Sequence, residues 1–198
     1  ASRGEWATYD FKKKPEVLLE EYKKNEMDKA NRMREAVSQS TLSQSSKDYL
    51  NGHISMQLLS GLQLAPGILT GQYSMAQRDM DREVYMAFHT KMIKALPDNY
   101  IDKSLLAILN EPVAMLDGTY GEMVRQADMI QKSHDMEEGL FTLMAKTGNL
   151  YHGIKDFMPL TDAQKEEMKS LPEACQQYLM AENDKLLAKI EANKKKSG

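Results

Sequence analysis

"EVYMAFHTKMIKALPDNY", residues 83–100, is the stretch whose periodicity sets the fold class. Its apolar residues do not alternate as a strand's would. They recur by threes and fours. With about 100° per residue, Met80, Val84, Ala87, Phe88, Met92 and Ala95 share one broad face, interrupted by Asp81 and Lys91. Tyr85 and Leu96 widen it, and Met86 and Ile93 lie beyond. His89 sits past the main face, with Tyr85 and Ile93 one turn away on either side. Apolar side chains therefore spread over more than half the circumference. Such a helix lies between several neighbours, or between the body of the protein and a partner. Ser74 with Gln77 forms a capping box that is expected to start it. Leu96-Pro97 stops it, because proline disfavours a helical residue before it.

Helical spacing continues outward in both directions. Downstream, a short helix is predicted over 101–109. Another begins at Asn110 or Glu111, with Pro112 in its first turn. Its stripe is Val113, Leu116, Tyr120, Met123, Ala127 and Ile130. The stripe is too short for a coiled coil and predicts an antiparallel neighbour within the fold. Gly118 and Gly121 inside it suggest close helix approach or a kink. A further helical stretch, 136–147, is expected to end at Gly148, with "NLYHGIKDFMP" (149–159) as an aromatic loop. Thr161 with Gln164 is a second capping box. Pro172 separates a short helix from the last one, marked by Ala174, Tyr178, Ala181, Leu186 and Ile190.

Upstream, Pro15 suits the first turn of a helix whose apolar side holds Leu19, Tyr22, Ala30, Met33 and Val37. Residues 38–46, rich in Ser, Gln and Thr, predict a break. Residues 47–60 read as helix, and 61–71, which contain "LAPG", as a loop. The first fourteen residues read as an extended arm carrying Trp6, Tyr9 and Phe11. Such an arm either docks a partner or folds back on the protein's own body. The expected architecture is all-α: an irregular or orthogonal bundle of about six or seven helices with extended termini. Residues 1–14 form the arm, 15–193 a single helical domain, and 194–198 a basic tail.

Composition narrows the function. Hydrophobic residues make up 41% and charged residues 28% of the 198, the balance of a soluble globular chain. No apolar run approaches the roughly 20 residues that span a bilayer, so no membrane span is expected. Peripheral association with a membrane complex is compatible with this. The net charge of −3 argues against nucleic acid as a partner. The lone Cys175 excludes an internal disulfide. A first residue other than Met suggests processing, and from it an organelle interior.

The chemistry-bearing residues are dispersed. No Glu-x-x-His or His-x-x-x-His occurs, so metal-site signatures are missing. His134 precedes Glu137 and Glu138 by three and four positions and on a helix would share their face as a surface charge pair. Ser133, His134 and Asp135 cannot form a hydrolase relay, because adjacent helical residues diverge by about 100°. His53 and His152 stand beside Gly52 and Gly153 as surface histidines. Asp79, Asp81 and Glu83 begin like a calcium loop, but Val84 and Thr90 occupy its glycine and final glutamate positions. They read instead as the acidic start of a helix. The fifteen methionines are mostly core filler. His89 is expected to pack at a boundary, not to bind or catalyse.

The resulting expectation is a non-enzymatic accessory or linker subunit of a larger protein assembly, such as a peripheral subunit of an organellar membrane complex. Its partners are other protein subunits, with no cofactor and no metal. Trp6, Tyr9, Phe11, Tyr85 and Met86 are the candidate partner-binding residues. The alternative is a helical carrier of a pigment, lipid or other apolar ligand in a methionine-lined cavity.

Overall fold

The computed structural model describes residues 8–77 and 80–196. Among them the chain is all-helical, with no strand. It forms ten α-helices and two short 3₁₀ turns, more elements than the six or seven expected. The chain divides into two compact units, Ala1–Tyr120 and Gly121–Gly198. No linker composition marks that boundary. It lies inside a stretch whose apolar periodicity runs on without a break.

In the first unit, α1 (Pro15–Gln39) opens with Pro15 in its first turn, as the sequence predicts. It packs lengthwise on α2 (Gln44–Gln63). Leu18, Leu19, Tyr22 and Ala30 of α1 and Ile54, Met56, Leu58, Leu59 and Leu62 of α2 are buried. Ser43 caps α2 by accepting the Ser46 amide at 3.3 Å. The residues read as a loop around "LAPG" are helical instead. Leu64 alone makes the joint, and α3 (Ala65–Ala76) starts with Pro66 in its first turn. Proline there removes a donor that has no helical partner anyway. The Thr70 hydroxyl donates to the Pro66 carbonyl at 2.6 Å, so its burial leaves no polar group unmet.

The Ser74–Gln77 capping box does not form. Ser74 lies in the last turn of α3, and its carbonyl accepts the Gln77 amide. Instead, α4 (Arg82–Lys94) is capped by Asp81, whose carboxylate accepts the Val84 amide at 2.8 Å. The acidic start read at Asp81 and Glu83 is thus the true start of the helix. Asp79 lies outside the described residues. After α4, Tyr100 is buried and its hydroxyl donates to the Leu19 carbonyl at 2.8 Å, tying this link to α1. Then come α5 (Lys103–Leu106) and the 3₁₀ turns Ala107–Asn110 and Pro112–Leu116.

The single helix expected from Glu111 onward is broken into the second of these turns, α6 (Tyr120–Arg125) and α7 (Ala127–His134). The first break is chemical. Asp117 uses its carboxylate to accept the amide of Thr119 at 2.9 Å and its hydroxyl at 2.6 Å. A side chain offering the backbone such a local partner competes with the helix ladder. Gly118 and Gly121 have open space where a Cβ would stand, so close approach is not their role. Of the stripe, Tyr120, Met123, Ala127 and Ile130 are buried, while Leu116 is exposed.

In the second unit, α8 (Leu140–Lys155) runs straight through Gly148 and Gly153, where an end and a loop were expected. Phe141, Ala145, Leu150 and Ile154 bury one side of it. That burial outweighs the roughly 1 kcal/mol that each helical glycine costs. The Thr161–Gln164 capping box starts α9 (Asp162–Met168) as read from sequence. α10 (Glu173–Lys196) runs on into the lysines expected to form a tail, so 194–196 are helical. Its buried side differs from the one read from sequence. Leu179, Asn183 and Leu186 are buried, and Cys175 and Ile190 pack partly against them. Ala174, Tyr178 and Ala181 face outward. Asn183 was invisible as a core residue because it is polar. Its carboxamide oxygen accepts the Leu160 amide at 2.8 Å, which satisfies a buried donor.

The end of α8 carries strain. The Met158 amide reaches the Gly153 carbonyl and the Phe157 amide reaches Ile154, the paired bonds of a Schellman close. That motif needs a left-handed residue, and Phe157 supplies it with φ 63° although its ring is 74% exposed. Phe157→Gly should raise stability by about 0.5 kcal/mol. The relieved strain of roughly 1 kcal/mol exceeds the added chain entropy of glycine. Urea unfolding of the two proteins side by side measures it, and a loss of stability would show that the ring contributes more than it strains.

Candidate functional site

The arm's rings fold back on their own unit. Tyr9 lies 6.4 Å from Phe11 and 6.3 Å from Tyr22 of α1, measured between ring centroids. The Tyr9 hydroxyl accepts from Asn25 at 3.2 Å. Phe11 reaches Tyr73 of α3 at 5.4 Å and Phe88 of α4 at 6.1 Å. Tyr73 and Phe88 stack at 4.2 Å. Offset and edge contacts of this kind each add about 0.5–1.5 kcal/mol beyond their area. Tyr9 and Phe11 are thus joined to the body through one aromatic cluster, while Trp6 lies outside the described residues.

That cluster fixes which side of α4 is covered. Tyr85, Phe88 and His89 are half-buried, and Met92 is completely so. Met86 (48% exposed) and Ile93 (49% exposed) are not. Spacings of three and four place Met86, His89 and Ile93 along one strip beside the buried face. Val84 is exposed on the other flank. The broad apolar circumference read from the sequence is therefore only partly consumed by the unit's own packing. Of the two candidate residues on α4, Met86 lies on this open strip and Tyr85 on the covered side.

The histidines are placed apart. His134 ends α7, and Asp135 after it is left-handed with φ 48°, so Glu137 and Glu138 do not continue its helix face. Burial pushes the His134 imidazole below its ordinary pKa. His152 is exposed on α8.

His53 has the partner that sequence reading missed. Its Nδ1 contacts the Asp117 carboxylate, 64 positions along the chain. The Asp117 side chain is only 3% exposed. Burial works to raise its pKa, but hydrogen bonds from the Thr119 hydroxyl and amide and from His53 outweigh this and hold it below the usual carboxylate range. Spacing could not reveal a pair that distant. Only the competing Asp-Gly-Thr turn signal at 117–119 hinted at it. The Thr119 hydroxyl donates to the carboxylate, on the far side from the imidazole, so the three groups do not form a nucleophile–base–acid relay. The geometry is that of a clamp between α2 and the turn leading into α6.

A groove with a volume of about 730 Å³ opens between α1, α2 and the segment from Asp102 to Val113. Met27 is the one methionine on its wall, so its lining is not that of the methionine-rich cavity pictured for a carrier. Among the described residues, no three His, Cys, Asp or Glu side chains gather as a metal ion requires. No described helix is long and apolar enough to cross a membrane. In comparisons with known proteins, the chain matches no family model, no curated protein and no solved structure.

Proposed function

We propose that this protein is a non-enzymatic accessory or linker subunit that joins a larger protein assembly through α4. The observation that carries this reading is the strip on α4 where the apolar side chains of Met86 and Ile93 stay exposed on either side of half-buried His89, beside a helix face already anchored by Met92. Open apolar surface on an ordered helix is the usual raw material of a helix-mediated contact. A peripheral place on an organellar membrane complex is one form such an assembly takes. The imidazole–carboxylate pair supports the same reading, because its contacts join secondary-structure elements and present no nucleophile.

Native mass spectrometry of the protein from its source tests this. The chain should travel in a complex of defined mass. Met86→Lys with Ile93→Lys should release it while leaving the free energy of unfolding within about 0.5 kcal/mol of the parent, because both side chains are surface-exposed. A lone monomer in the native sample, or a double variant that stays in the complex, would refute the docking role of α4.

A further inference from the structure

Given the docking role of α4, on which this rests, we infer that the subunit it meets is a second copy of this chain, laid antiparallel across the Met86–Ile93 strip. On a wheel of about 100° per residue, Ile93, Met86 and Thr90 follow one another within about 60°, and all three are exposed. Glu83 and Lys94 come next, about 20° apart, on the flank away from Met92. Both are exposed, one in the first turn of α4 and the other in the last. Eleven positions, about 16 Å of helix, separate them, so they cannot reach each other within one chain. Among the described residues no ion pair includes either. An open apolar strip thus carries one acid at one end and one base at the other, on the same flank.

That pattern complements itself under a two-fold axis. An axis normal to two antiparallel helices returns each flank to the same side, so like flanks meet. Setting Met86 against the partner's Ile93 centres the axis between His89 and Thr90. Glu83 then stands about two positions, roughly 3 Å along the helix, from the partner's Lys94. Lys94 stands equally close to the partner's Glu83. One operation therefore closes both apolar contacts and both ion pairs. A parallel copy would bring each charge level with its own like and lose both pairs. The 13 residues of α4 give a contact about 20 Å long, at the small end of specific interfaces. The dimer is accordingly a weak one, with a dissociation constant on the order of 10 µM.

The test is sedimentation equilibrium of the purified full chain at low salt, where surface charges are least screened. The parent should dimerise. Glu83→Lys and Lys94→Glu should each weaken the dimer about tenfold, since each turns two attractions into two repulsions. An equimolar mixture of the two variants should pair at close to the parent's affinity, because position 83 of each chain then faces the opposite charge at position 94 of the other. Each chain keeps its own helix ends in the mixture, so the recovery reads contact between copies and not helix stability. Met86→Lys with Ile93→Lys should abolish the dimer. A parent that stays monomeric up to about 200 µM would overturn the inference. If this double variant were still released from the native complex, the docking role of α4 would then stand with a different partner. A mixture no tighter than its components, or a dimer that survives the double variant, would equally overturn the pairing of copies through α4.

Discussion

Replacing Met92 with alanine should cost about 2–5 kcal/mol of stability, the range for a long buried apolar side chain cut back to a methyl. Met92 is the one buried residue of α4, with no exposed surface. The rest of that helix is held by half-buried Tyr85, Phe88 and His89 and by the stacking of Phe88 on Tyr73. The loss should therefore be local before it is global. Amide exchange along 82–94 should quicken more than along α1 and α2, because a helix with few buried contacts opens first. Chemical denaturation gives the total and hydrogen exchange gives its distribution. A cost under about 1 kcal/mol would mean that α4 is anchored by its aromatic edge and not by this methionine. Because the docking strip lies on the same helix, Met92→Ala should also weaken assembly, although the side chain itself is hidden from any partner.

Asp117→Ala should cost about 2–3 kcal/mol at neutral pH, since it strips a buried carboxylate from three donors. His53 and Thr119 can recover part of this by turning to water, which keeps the cost below the upper range. The pH dependence distinguishes the charged clamp from mere packing. The carboxyl is held below its ordinary value of 3.8 in the folded protein. Its contribution is therefore complete above that value and is lost as pH falls through the lower, folded value. The stability gap between parent and variant should hold steady from pH 7 to about 5 and shrink steeply below about pH 4. Urea unfolding across that range reads it directly. A gap independent of pH would assign the cost to shape alone.

Much of the secondary structure was legible because its causes are local. Pro15 opens α1, Thr161 with Gln164 caps α9, and Leu96-Pro97 follows the end of α4. Each rests on backbone groups within a few residues of one another. The failures share a cause too. At Ser74 a valid capping pattern was present, yet the chain used Asp81, since one cap suffices and packing chooses which. At 117–119 the apolar stripe predicted helix, but a carboxylate with a distant imidazole partner pulled the backbone away. At Gly148 and Gly153 the breaker signal was outweighed by burial of Phe141, Leu150 and Ile154.

The sequence by itself determined that the chain is helical, because period and capping are properties of neighbouring residues. It also exposed the excess of apolar surface on α4, since that follows from residue identity and a helical wheel. Only the tertiary structure decided which part of that surface is covered. It also set Asn183 in a core, joined His53 to Asp117, and aligned Asp48 and Asn51 with Glu111 along one groove. Those relations span from about twenty to more than sixty positions of chain, and no periodicity carries information across such a gap. They exist only once helices pack and bring their side chains within contact distance.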